Sequence, residues 1–229
     1  NGMIDVVEGG CAGGILGIIE YADAKVTVSN CENNGRVSSS GSHDGNYAGG
    51  ILGIIESIDA EVTISNCENN NEIKSSGSYA GGILGINKNK NAQVTITNCE
   101  NNRNVDCING IYAGGIVGFS QEKESVMTIL NCINNATIHS YVQYAGGIAG
   151  GINSKDKVYN SLNNGDVDSA VLGNAGGIVG YSNGILLNCV CNPNASVLAP
   201  SGDSDKICVK GEGCIVKECY SEMEKADKL

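Results

Sequence analysis

The seven residues Tyr79-Ala80-Gly81-Gly82-Ile83-Leu84-Gly85 decide the fold, because nearly the same letters return at a near-constant interval along the chain. The Ala-Gly-Gly core starts at Ala12, Ala48, Ala80, Ala113, Ala145 and Ala175, so successive copies lie 30 to 36 residues apart. Each copy is completed by Ile, a second apolar or small residue and another Gly, as in Ile15-Leu16-Gly17, Ile83-Leu84-Gly85 and Ile178-Val179-Gly180. A repeat of this size marks stacked units, none of which can bury a core alone.

Between copies a second segment recurs as Val-Thr-Ile-Ser-Asn-Cys-Glu-Asn-Asn, clearest at residues 26–34, 62–70 and 94–102 and weaker toward 185–189. Val26 and Val28 alternate with Thr27 and Ser29, the period of two that a strand with one buried face requires. A third apolar point follows six residues after the Cys position, at Val37, Ile73, Val105, Ile138 and, after Ser161, Val167. Gly-Gly and Asn-Asn steps supply turn conformations between these segments, and helical spacing is absent.

The pattern predicts an all-β fold, a parallel β-helix (β-solenoid) of about six coils with three short strands each. Residues 1–199 would form the repeat domain and 200–229 a divergent final coil or C-terminal cap. Equivalent residues of neighbouring coils stack about 4.8 Å apart, so the rod would be roughly 30 Å long and each repeated letter becomes a ladder. On this reading YAGGILG is one wall, its Ile inside and its glycines permitting close backbone approach. Asn1-Gly2-Met3-Ile4 aligns with Asn34-Gly35-Arg36-Val37, and residues 215–219 echo the middle strand. The chain is therefore expected to start in mid-coil, as a piece of a longer protein with strand edges to cover.

Composition agrees and narrows the partners. Of 229 residues 41% are hydrophobic but only 4% aromatic, with one Phe and no Trp, so the core must be aliphatic and narrow. A formal charge of -11 disfavours nucleic acid and anionic membrane surfaces as partners. No apolar run reaches the roughly 18 to 20 residues of a membrane helix, and the first ten residues lack signal-peptide features, so any export signal is expected outside the sequence.

The Gly-Gly-Ile-x-Gly core alternating with Asn-Cys-x-Asn and a downstream aliphatic resembles the GLUG-motif repeat proteins of bacterial and protist cell surfaces, over about residues 1–199. The resemblance implies a non-catalytic, extracellular or cell-surface module of an adhesin-like protein. Such repeats also occur in non-catalytic regions of IgA-specific metallopeptidases. It carries no catalytic residue onto this chain. A rigid spacer, or a binding wall for glycan or protein partners, is the expected role. The alternatives are a carbohydrate-acting β-helix enzyme, with Asp166 and Asp168 as candidate carboxylates, and a rod that self-associates end to end.

Several columns follow from the register. Tyr47, Tyr79, Tyr112 and Tyr144, preceded by Cys11 and followed by Asn174, would form a ligand-facing strip for sugars if exposed, packing at a corner being the favoured reading, and Thr27, Thr63 and Thr95 with their neighbouring Ser or Thr form a second possible ligand-facing column. The Thr array resembles the flat faces of ice-binding solenoids, but it fails at Leu130, so ordinary strand preference explains it. Asn30, Asn66, Asn98, Asn131, Asn160 and Asn188 form a structural amide ladder. Of eleven Cys, Cys31, Cys67, Cys99, Cys132 and Cys189 form a second ladder, expected as reduced, mostly buried thiols. Cys11, Cys107, Cys191, Cys208, Cys214 and Cys219 are better placed for bonding, with irregular spacing for zinc. Stacked Glu32, Glu68 and Glu100 would repel, which calcium could relieve, although solvent screening suffices and no cofactor is expected. His43 and His139 are the only histidines and share no catalytic motif.

Overall fold

A computed structural model describes residues 3–7, 10–40, 45–170 and 173–221. His43 lies outside the described residues. The chain winds as a parallel β-solenoid of about six coils, all strands pairing in parallel with the equivalent strand one coil away. Four sheets have seven strands and the fifth has six. The expected register holds: Ala80 pairs with Ala48 and Ala113, and Thr95 with Thr63 and Thr128.

Each coil carries five short strands instead of the expected three, except the last, which has four among the described residues. In the third coil these are Ile73–Ser75 (sheet 1), Tyr79–Gly81 (sheet 2), Leu84–Asn87 (sheet 3), Gln93–Thr97 (sheet 4) and Glu100–Asn101 (sheet 5). YAGGILG is accordingly two walls meeting at a Gly82-Ile83 corner. The Asn-Cys segment is likewise split, because Asn98 sits at φ +53°. Asn30, Asn66, Asn131, Asn160 and Asn188 share this left-handed conformation, as does Glu218 at the same position of the last coil. Asn tolerates that region better than other residues bearing a Cβ, so the column is written by the corner it turns.

Space, not φ, requires the repeated glycines of the corner. A Cβ on Gly82 would sit 2.1 Å from the carbonyl oxygen of Gly115 in the next coil and 2.5 Å from the side chain of Asn101 across the interior. A Cβ on Gly81 would meet the Leu84 carbonyl at 2.0 Å. The same contacts recur at Gly49 and Gly50 and at Gly114 and Gly115, so the fold repeats the close approach coil by coil.

The core is aliphatic, as the composition requires, and lies in strips along the rod. The main strip stacks Ile51, Ile83, Ile116, Ile148 and Ile178 against Ile64, Ile96, Ile129 and Leu186, with Cys67, Cys99, Cys132 and Cys189 beside them. A second strip joins Val37, Ile73, Val105 and Ile138 to Ala48, Ala80 and Ala113. Asn33, Asn69, Asn101, Asn134 and Asn163, all buried, form a ladder against the glycine wall, each amide donating to the next at 2.7 to 2.8 Å. Burying these amides is tolerable only because each rung finds its acceptor in the next.

A buried carboxylate closes one turn. Asp156 accepts the backbone N–H groups of Met127 at 2.8 Å and Asn153 at 2.9 Å, yet burial outweighs these bonds and pushes its pKa up from 3.8 to about 6. The folded chain thus holds this proton more tightly than the unfolded one, so the contribution of Asp156 to stability is fully present below about pH 4 and is lost as pH rises through about 6. The loss is about 3 kcal/mol, on the order of two pK units, and it levels off above that range. Denaturant titrations from pH 4 to pH 7 should show this fall in the wild type, and Asp156→Asn should flatten it.

Candidate functional site

Sheets 2 and 3 meet at a notch on the outside of the rod, where a third apolar cluster lies apart from the interior. Tyr47, Tyr79, Tyr112 and Tyr144 project from sheet 2 in register, Tyr47 buried and the others half-buried. The facing column of sheet 3 runs Ile18, Ile54, Ile86, Phe119, Gly151 and Tyr181. Phe119 stacks on Tyr112 with ring centroids 4.0 Å apart and planes 9° apart, and on Tyr79 at 5.7 Å. Tyr112 stacks on Tyr144 at 4.8 Å, and Tyr144 tilts against Tyr181 at 5.4 Å. Gly151 makes room for this stack, since a Cβ there would meet the Tyr112 ring at 2.6 Å. At the other end Lys88 donates to the Tyr47 hydroxyl at 2.6 Å and lies over its ring. Burial raises the Tyr112 pKa, and the neighbouring tyrosines Tyr144 and Tyr79 add to the shift, so its hydroxyl stays protonated.

The chemical consequence is that these ring faces cover one another. A sugar-binding platform needs an aromatic face free to take a pyranose, whereas each central ring here already has an aromatic neighbour. Tyr112→Ala is expected to cost about 2 kcal/mol of stability with no ligand present, below the roughly 3 to 5 kcal/mol for a fully buried aromatic ring because the site is half-buried. Thermal melts of the variant test this.

The other columns stand in register along the rod. Thr27, Thr63, Thr95 and Thr128 stack on the outer face of sheet 4, then give way to Lys157, Ile185 and Ile215. The Asn66, Asn98, Asn131 and Asn160 amides each donate to the preceding rung at 3.2 to 3.4 Å, beginning with Asn30, on the exposed face of the corner. Asn188 continues their backbone column. The Cys67, Cys99, Cys132 and Cys189 thiols are buried and donate to carbonyls, and Cys31 at the first coil is half-exposed. Glu32, Glu68 and Glu100 stand in register on sheet 5. Among the described residues no group of three or more His, Cys, Asp or Glu side chains is placed to hold one metal ion. Asp166 accepts the Ser196 backbone N–H at 2.7 Å, and Asp168 pairs with His139 at 3.1 Å, so each already has a structural partner.

Several cysteines stand in for other residues of a column. Cys107 replaces a Ser in the series Ser39, Ser75, Ser140 and Ser169, where each side chain donates to a carbonyl. Cys191 takes the sixth rung of the buried Asn ladder, and Cys219 extends the Cys column one coil beyond Cys189. The buried ladder itself was the functional pattern missed in the sequence, although its signal, an Asn two residues after each Cys position, is present in five coils.

Two open clefts lie at the turns between sheets 3 and 4. One, of about 420 Å³, is lined by Lys123, Asn153, Ser154, Tyr181, Asn183 and Glu212. The other, of about 400 Å³, has Glu20, Glu56, Lys88, Lys90 and Glu122 on its walls. Both mix charges of either sign with hydroxyls, and the first adds the Asn153 and Asn183 amides.

These features define a repeat protein of the parallel β-solenoid class. Its chain is similar in structure to a putative immunoglobulin A1 protease from Bacteroides ovatus, with a TM-score of 0.59 and 18% sequence identity. The match covers 96% of this chain and 66% of that one, and at this identity it shows the fold alone. No protein-family model matches the chain. No curated protein matches it either.

Proposed function

We propose that the chain is a rigid, non-catalytic spacer segment of a larger secreted or surface-anchored, adhesin-like protein of the GLUG-repeat kind. One observation carries the reading: the side chains that repeat most faithfully are spent on one another. Tyr stacks on Tyr and Phe, and Asn bonds to Asn, so the repetition serves coil-to-coil cohesion. Solenoid stability grows with such nearest-neighbour interfaces, which suits a part that must hold its shape between other domains. The chain's span of 66% of the Bacteroides ovatus protein is compatible with a segment of a larger assembly.

A binding wall is the second reading, favoured by the two polar clefts, whose hydroxyls and charges of both signs, with the Asn153 and Asn183 amides in the first, could take a glycan or a polar protein surface. Incubation with a panel of host and microbial polysaccharides and with immunoglobulin A separates the readings. A spacer neither retains nor cleaves any of them. Retention that is lost on Asn153→Ala and Asn183→Ala substitution would make the wall a receptor-binding surface, and release of fragments would overturn the non-catalytic reading. Concentration-dependent mass in solution would instead favour the self-associating rod.

A further inference from the structure

The last coil holds a pair of cysteines that differs from the ladder thiols. Cys208 begins the final strand of sheet 3, Cys208–Lys210, and is buried against the main core strip. Cys214 immediately precedes the final strand of sheet 4, Ile215–Lys217, and is half-exposed. The turn between them carries Gly211 and Gly213, the latter at φ +82°, and closes with the Cys214 N–H donating to the Gly211 carbonyl. This brings the two sulfurs to 3.8 Å. By contrast the Cys67, Cys99 and Cys132 thiols are aimed at carbonyl oxygens, and Cys107 is fully buried with the same kind of partner.

We propose that Cys208 and Cys214 form an oxidation-dependent disulfide clasp on the terminal coil, made by exchange with a low-molecular-weight disulfide. The Cys208 thiol donates toward Cys214, and with help from Ser182 and Lys210 it holds the Cys214 thiol down to about 6, so at neutral pH the accessible sulfur is the thiolate. That thiolate attacks one sulfur of the small disulfide, forming a mixed disulfide and expelling one small thiolate. Cys208 then loses its proton to solvent and attacks the Cys214 sulfur, expelling the second small thiolate. In balance two protein thiols are oxidised and one small disulfide is reduced to two thiols. The clasp ties together the last strands of two sheets, each paired on one side only among the described residues. A cross-link at that edge restrains fraying where the stack of coils has least support.

The test uses the whole chain equilibrated in mixtures of oxidised and reduced glutathione, acid-quenched, alkylated and cut after lysine. Cleavage after Lys206, Lys210 and Lys217 places the two cysteines on separate peptides, 207–210 and 211–217. The expected result is that these peptides become joined at an oxidised-to-reduced ratio about tenfold lower than any other cysteine pair requires. In Cys208→Ser, where the resolving thiol is gone, Cys214 should retain glutathione. Absence of the joined peptide at every ratio overturns the proposal, as does earlier formation of a Cys189–Cys219 link while Cys208 and Cys214 remain alkylated. The wild-type mapping decides the matter even if the variant folds poorly.

Discussion

Ile83→Asp is expected to remove about 4 kcal/mol or more of stability, enough to unfold the middle of the rod. Ile83 is fully buried and lies between Ile51 and Ile116 in the main strip, so the new carboxylate would have only aliphatic neighbours in its own column. An unpaired charge in such a site either keeps its charge at large desolvation cost or takes up a proton, and both outcomes destabilise. Because each coil supports its neighbours, the loss should spread to the coils on both sides. Hydrogen exchange should show lost protection from about Ile51 to Ile116, and the melting transition should fall sharply at neutral pH. The defect should ease below about pH 4, where the carboxyl is neutral. An unchanged melting curve would refute the inward placement of this column.

Gly82→Ala should cost about 3 kcal/mol, although Gly82 has no left-handed backbone conformation to protect. The added Cβ would lie 2.1 Å from the Gly115 carbonyl oxygen and 2.5 Å from the Asn101 amide. A side chain can rotate or be trimmed, whereas a backbone carbonyl held in the coil stack cannot move without displacing the next coil. The double variant Gly82→Ala with Asn101→Ala should therefore remain destabilised, with a further loss because Asn69 no longer has an acceptor and Asn134 no longer has a donor in the buried ladder. Rescue by the second substitution would show instead that the amide was the limiting contact. Denaturant titrations of the two singles and the double distinguish these outcomes.

The likeness to the Bacteroides ovatus protein shows the fold alone, and the local chemistry is what gives the spacer reading its content. The Tyr rings pack on other aromatic side chains, while the Thr column stays on the outer face. The Tyr column gains Phe119 and Tyr181, and its ring faces are covered by neighbours. The candidate carboxylates Asp166 and Asp168 each hold a structural partner one coil away.

The period of 30 to 36 residues was sufficient, by itself, to establish a stacked parallel solenoid and the register of its main columns. That is because side chains one repeat apart become neighbours in any such stack, whatever the shape of the coil. Contacts between different columns depend on the angle at each corner, and only the tertiary structure decides those angles. The notch that joins the Tyr column to Phe119, and the close passage of the glycine wall over the buried Asn ladder, are of this kind. So is the turn that brings Cys208 to Cys214. The repeat says which residues lie above one another, and the folding of each coil says which lie across from one another.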